Sequence, residues 1–181
     1  ATMSRVSAEA TSPVEIRIAD GKGHAGFVAQ VGEYRVQVTA RLLEGPYPNY
    51  EQVIPKDNPR SLTVTRSDLM EAVDIVASHA DSNTQQVRFS LKGNQLSVSS
   101  ATADFGAGEQ KVDSEYQGED MDIGYNARYL LQTLRNIPTE KVVFRLKTAL
   151  SAGIVEPVGA LVQPDEELLC LVMPLRLPDA G

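Results

Sequence analysis

A chain of 181 residues with 42% apolar and 23% charged side chains has the composition of a folded globular protein, and no apolar run approaches the roughly 18 residues a membrane-spanning helix needs. A formal net charge of -7 argues against a domain that coats nucleic acid through a uniformly basic surface and leaves other contact with DNA open. One cysteine, Cys170, excludes an internal disulfide, and with only His24 and His79 beside it no zinc-ligand set can be assembled.

At the N-terminus, Ala1-Thr2-Met3-Ser4-Arg5 has no basic segment leading into an apolar stretch, so no signal peptide is read there. Residues 1–10 read as the end of a helix, which marks the sequence as a piece of a longer chain. Three alternating segments follow: Val14-Glu15-Ile16-Arg17-Ile18, Gly26-Phe27-Val28-Ala29-Gln30-Val31 and Tyr34-Arg35-Val36-Gln37-Val38-Thr39. Alternation with a period of two makes a sheet with one buried face. His24 falls between glycines in the first connecting loop, where Gly21-Lys22-Gly23 lacks the spacing of a phosphate loop and reads as a turn. The turn-rich link Glu44-Gly45-Pro46-Tyr47-Pro48-Asn49-Tyr50 ends near Pro55 to Pro59.

Beyond the link, Leu62-Thr63-Val64-Thr65 is a short strand, and Ser67 to Ala80 is an amphipathic helix with Leu69, Met70, Val73, Val76, Ala77 and Ala80 on its apolar face. Strands follow at Val87 to Leu91, Leu96 to Ser99 and about Gly108 to Tyr116, the first two joined by a Lys92-Gly93-Asn94-Gln95 turn. The same order then repeats. Met121 to Tyr125 is a strand, and Asn126 to Ile137 a helix stopped by Pro138, which has no N–H to continue it. Val142 to Leu146, Ala152 to Glu156 and Leu168 to Val172 are the closing strands. The period is roughly 55 to 60 residues, so the fold class is α+β with repeated strand-helix-three-strand units: one complete domain preceded by an incomplete one.

Catalytic chemistry has little to stand on. Acid-base and nucleophilic enzymes need a poised base, and His24 in a loop and His79 at a helix end read as surface histidines. Cys170 sits in an apolar strand, the setting of an inert thiol. Asp120-Met121-Asp122-Ile123-Gly124 echoes a calcium loop but lacks its later ligands, and no metal or cofactor is expected. The residues alone leave two readings open: a non-catalytic α+β assembly domain of unknown partner, and a hydrolase using Glu119, Asp120 or Asp122.

Three segments carry a resemblance. The link Leu43 to Tyr50 with Val53-Ile54-Pro55, the stretch Met121-Asp122-Ile123-Gly124-Tyr125-Asn126-Ala127-Arg128-Tyr129-Leu130, and the ending Val172-Met173-Pro174-Leu175-Arg176-Leu177, in this order and spacing, resemble the bacterial DNA polymerase III beta subunit, or beta sliding clamp, family. The resemblance implies the DNA-clamp fold, with residues 1–57 the C-terminal half of the second clamp domain and 58–181 the third. It implies a cytoplasmic, non-catalytic processivity factor of DNA replication that forms a homodimeric ring around double-stranded DNA and holds the polymerase to it.

The same resemblance implies a pocket between those two domains for short apolar motifs of the DNA polymerase III alpha subunit, the clamp loader and repair proteins. Its residues would be Pro48 and Val53 from the link, Asn126 and Tyr129 at the helix start, Leu150 and Ala152 in a hairpin, and Leu171, Val172, Met173, Pro174, Leu175 and Arg176 in the last strand and tail. The side chains suit that use, since Met173 and Leu175 offer adaptable apolar surface and Tyr129 a flat ring with a polar tip. Gln52 stands where some family members carry arginine, which removes a charge from the pocket, and the tail runs on as Pro178-Asp179-Ala180-Gly181. Arg66, Arg128 and Arg135, on or beside the two helices, are the expected DNA-channel contacts, directed at phosphates without reading bases.

Overall fold

Helix α1 (Thr2–Glu9) is followed by a three-stranded antiparallel meander, β1 (Glu15–Ile18), β2 (His24–Val31) and β3 (Tyr34–Arg41), in that spatial order. The computed structural model describes residues 2–18, 23–102, 106–159, 161 and 167–178. Ile16 lies opposite Phe27 and Phe27 opposite Val38, so the alternation gathers one apolar face, but the face is not buried as expected: Ile16 and Ile18 are 61% and 69% exposed. His24 is a correction: it opens β2 opposite Arg41, because the β2–β3 ladder reaches back that far, and Leu42 adds an N–H bond of 2.7 Å to the Gly23 carbonyl. The expected turn at Gly21 and Lys22 lies outside the described residues.

The chain divides into two units at Asn49/Tyr50, so the residues after the break, including a 3-10 turn at Tyr50–Gln52, go with the second unit. That unit runs β4 (Arg60–Thr65), α2 (Arg66–Ala77), β5 (Gln86–Lys92), β6 (Gln95–Thr102), β7 (Gly106–Gln117), then β8 (Met121–Asn126), α3 (Ala127–Arg135), β9 (Lys141–Leu146), β10 (Gly153–Val158) and β11 (Cys170–Val172). The strand-helix-three-strand order occurs twice. The halves do not form separate sheets: the order is β11-β10-β9-β4-β7-β6-β5-β8, with β4 held between β7 of its own half and β9 of the other, and β8 lent to β5.

The third strand of each half changes partner part-way. In β7, residues Gly106 to Asp113 pair with β6 and Ser114 to Gln117 with β4. In the second half, Cys170 to Val172 pair with β10 while Leu175, just past Pro174, bridges to Gly124 of β8. β7 makes the change as one continuous strand; the second half makes it across a proline, which has no N–H to give a ladder. The last strand is shorter than the expected Leu168 to Val172, and the register explains it: the residue of β10 facing Leu168 would be Pro157, another residue without an N–H donor.

One core serves the whole second unit. Val87, Phe89 and Leu91 of β5, Leu96 and Val98 of β6, and Met121, Ile123 and Tyr125 of β8 point into it at every second position. α2 closes it with Leu69, Val73 and Val76, and α3 with Leu130, Leu131 and Leu134. Phe89, Tyr125 and Phe144 meet at its centre, the first two edge to face at 5.3 Å between ring centres. Among the described residues no helix is long and apolar enough to cross a membrane.

Candidate partner-binding site

α3 begins at a residue that does two jobs. Asn126 ends β8 in an extended conformation, its side-chain oxygen accepts the Tyr129 N–H at 3.1 Å as a helix cap, and its Nδ2 donates to the Thr84 carbonyl at 2.8 Å. The cap aims Tyr129 outward, 62% exposed, with the Arg128 guanidinium 5.6 Å from its ring centre. Thr84 belongs to a tight loop: Asp81 Oδ1 accepts the N–H groups of Asn83 and Thr84, and the backbone N–H of Gln85 reaches the Asp81 carbonyl. The Thr84 and Asn83 N–H bonds hold the Asp81 carboxyl below its ordinary range. Gln85 then takes φ +49°, a left-handed conformation rare outside glycine, and its carbonyl accepts the Ala127 N–H at 2.8 Å.

The tail is the other wall. Leu171 and Val172 pair with Ile154 and Gly153 of β10, Val172 buried and Leu171 half-exposed, and Met173 beyond them is 64% exposed. After Pro174 the Leu175 N–H donates 2.8 Å to the Gly124 carbonyl, and Gln86 Nε2 donates 3.0 Å to the Arg176 carbonyl. Gly124 admits the tail because it has no side chain: a Cβ there would stand 2.7 Å from the Leu175 carbonyl oxygen and 3.0 Å from Leu177 Cδ2.

The loop after β9 carries the remaining expected residues. Leu150 is 57% exposed, while the Ala152 carbonyl accepts from Asn58 Nδ2 at 3.1 Å, so residues just past the link are tied to this hairpin. The Lys147–Asp57 ion pair at 2.9 Å adds a second tie. Ala152 is thereby joined through β10 to Leu171 and Val172, and Asn126 and Tyr129 through β8 to Leu175 and Arg176. Among the described residues no hydrogen bond ties Val53, 59% exposed, or Leu150 to either wall. Pro48 is exposed and belongs to the first unit. Sequence reasoning missed Gln86 and the role of Gly124; a glycine inside a strand pattern is the available sign of close backbone approach, and Gln86 gives none. A cleft of about 590 Å³ does open beside the tail's end, lined by Gln86, Arg88, Glu109, Leu177 and Pro178, but none of the expected partner residues lines it.

Of the three expected DNA contacts, Arg66 is spoken for: its Nε donates to the Thr139 carbonyl at 2.9 Å, and Nη1 lies 3.5 Å from the Met70 sulfur. Arg128 and Arg135 stand exposed one above the other on α3. α2, packed on the same core, turns Asp68, Glu71 and Asp74 to solvent. Among the described residues no group of acidic, histidine and cysteine side chains could hold a metal. Glu119, of the acidic cluster, pairs with Arg60 at 2.8 Å, and Asp122 lies 3.6 Å from Arg88. Burial pushes the Cys170 thiol up, away from the reactive thiolate.

Two strand-helix-three-strand halves sharing one sheet and one core, with a C-terminal tail carried over to the far edge strand, define a clamp-type domain. The family model of the DNA polymerase III beta subunit, C-terminal domain, matches residues 51–176, and the chain belongs to that family. It is 34% identical over 152 residues to the beta sliding clamp of Synechocystis sp., covering 83% of this chain and 37% of that protein. The crystal structure of the Bartonella birtlesii sliding clamp bound to griselimycin superposes with a TM-score of 0.79 at 28% identity, over 94% of this chain and 43% of that one. The Pseudomonas aeruginosa clamp bound to griselimycin gives 0.73 at 30% identity, over 91% and 42%. The chain thus spans less than half the length of these relatives.

Proposed function

We propose that this chain is part of a bacterial sliding clamp, a non-catalytic processivity factor that tethers DNA polymerase to its template in the cytoplasm. In this reading residues 1–57 are the C-terminal half of the second clamp domain and 58–181 the third, and the full-length protein closes as a homodimeric ring around double-stranded DNA. Arg128 and Arg135 are the phosphate contacts of the third domain; Arg66 has its guanidinium engaged within the fold. The partners are the DNA polymerase III alpha subunit, the clamp loader and other proteins carrying short apolar motifs.

The observation that carries the partner site is the exposure of Met173 and Tyr129 on two walls that are each pinned by backbone hydrogen bonds. An apolar side chain held rigidly in solvent loses little entropy when a partner covers it, which is how anchor positions of an interface behave. Val53, Asn126, Leu150, Ala152, Leu171, Val172, Pro174, Leu175 and Arg176 complete the contact surface offered by the second unit. Griselimycin, bound by the two relatives above, is the probe. Titrated into the isotope-labelled chain, it is expected to shift the NMR resonances of Tyr129, Met173 and Leu175; saturating griselimycin that leaves all three unmoved rejects the site.

A further inference from the structure

Both walls of the site are fastened to one short segment that contributes no exposed apolar surface of its own. Thr84 receives Asn126 Nδ2, the Gln85 carbonyl receives the first N–H of α3, and Gln86 sends its amide to the Arg176 carbonyl. Gln86 also lies directly opposite Asn126 in the β5–β8 ladder, so the group that holds the tail and the group that caps α3 are cross-strand neighbours. Gly124, two residues before Asn126 on β8 and so on the same strand register, receives the Leu175 N–H and leaves the space through which the tail passes.

We propose that Gln86 and Gly124 are positioning residues of the partner site: they set the Leu175–Arg176 wall at a fixed distance from the Asn126–Tyr129 wall without touching the partner. The inference rests on the partner-site reading above. Its physical content is that the tail has few other holds. Past Pro174, the described backbone contacts of the tail are the single Leu175–Gly124 bridge and the Gln86 amide, against a continuous ladder for β7 in the equivalent place. Removing the Gln86 amide, or crowding the Leu175 carbonyl with a side chain at Gly124, is therefore expected to loosen the seat of this wall while the core stays closed.

The test uses the whole 181-residue chain with three substitutions. Gln86→Leu keeps the volume and removes the donor; Gln86→Lys keeps a donor of similar reach; Gly124→Ala puts a methyl group against the Leu175 carbonyl. Amide hydrogen exchange reads the seat. Gln86→Leu and Gly124→Ala are expected to speed exchange at Leu175 about fivefold to tenfold, the loss of one hydrogen bond, with Phe89 and Val143 unchanged, and Gln86→Lys to stay within about twofold of the parent. Griselimycin affinity is expected to follow the same order. Unchanged Leu175 exchange in both loss-of-seat variants overturns the proposal, as does faster exchange with unaltered griselimycin affinity, or a lysine no better than leucine. If the parent chain binds no griselimycin, the partner-site reading falls instead, and the seat is judged on exchange alone.

Discussion

Tyr125 shows at a single residue what the packed core demands. Its ring completes the cluster with Phe89 and Phe144, yet its hydroxyl is buried with no hydrogen-bond partner among the described residues. Desolvation drives its ionisation far above the ordinary phenol range. Replacing Tyr125 by Phe removes an unpaired polar atom and keeps the ring, so thermal denaturation is expected to give an unchanged or higher midpoint, where a paired hydroxyl would cost about 1 kcal/mol. The pH dependence has a definite sign. With the folded pKa raised, the unfolded state loses its phenolic proton first as pH passes about 10, so the parent loses stability there and Tyr125→Phe loses less. A fall as steep in the variant as in the parent, followed by circular dichroism, contradicts this account. At this scale the sequence was readable where a residue acts through its own type: Pro138, without an N–H, ends a helix pattern by chemistry alone. It was unreadable for Gln86, whose role exists only because a segment 90 residues away arrives beside it.

At the scale of elements, order and type were legible because each strand alternates and each helix has a stripe, while ends were set by partners. β2 begins at His24 because β3 is long enough to pair with it, and β11 begins at Cys170 because Pro157 gives nothing to pair with earlier residues. The sharing of strands between halves left no trace in the sequence, since β4 and β8 look alike whichever neighbour they join. The junction of β8 and α3 is where element and site coincide, and Asn126 tests it. Asn126→Ala removes both the cap and the bond to Thr84 and is expected to cost about 1 to 2 kcal/mol in urea unfolding. Asn126→Ser keeps a cap acceptor for the Tyr129 N–H and loses the bond to Thr84, so its midpoint should fall between parent and Ala. Equal losses would mean that the cap contributes nothing and the Thr84 bond is the whole effect.

The two units differ as molecules in how they bury apolar surface, and their stabilities should differ accordingly. In the second unit 26 buried residues among those described form one cluster under two helices and eight strands. In the first, with three strands and an eight-residue helix, the fully buried apolar residues among those described are Ala25, Val28 and Ala29, all on β2, while Ile16, Ile18 and Tyr34 are 61%, 69% and 77% exposed. Two alanines and a valine withdraw little apolar area from water, and at roughly 25 cal/mol per Å² they cannot offset the entropy of ordering about forty residues. The first unit is therefore expected to open locally at far lower free energy than the second. Hydrogen exchange followed by mass spectrometry should find β1 to β3 fully exchanged while β4, β5 and β9 remain protected, and limited proteolysis should remove the N-terminal residues to leave a resistant product beginning near Tyr50. The reading of the first unit as half of a clamp domain makes a further demand. Residues supplied in trans that complete that domain should cover Ile16, Ile18 and Tyr34 and bring exchange in β1 to β3 down towards that of the second unit, since a sheet is protected only when its apolar face is closed. Protection of β1 to β3 already equal to that of β4 in the chain alone would show that the exposed apolar face has found another cover, and would set aside the half-domain assignment.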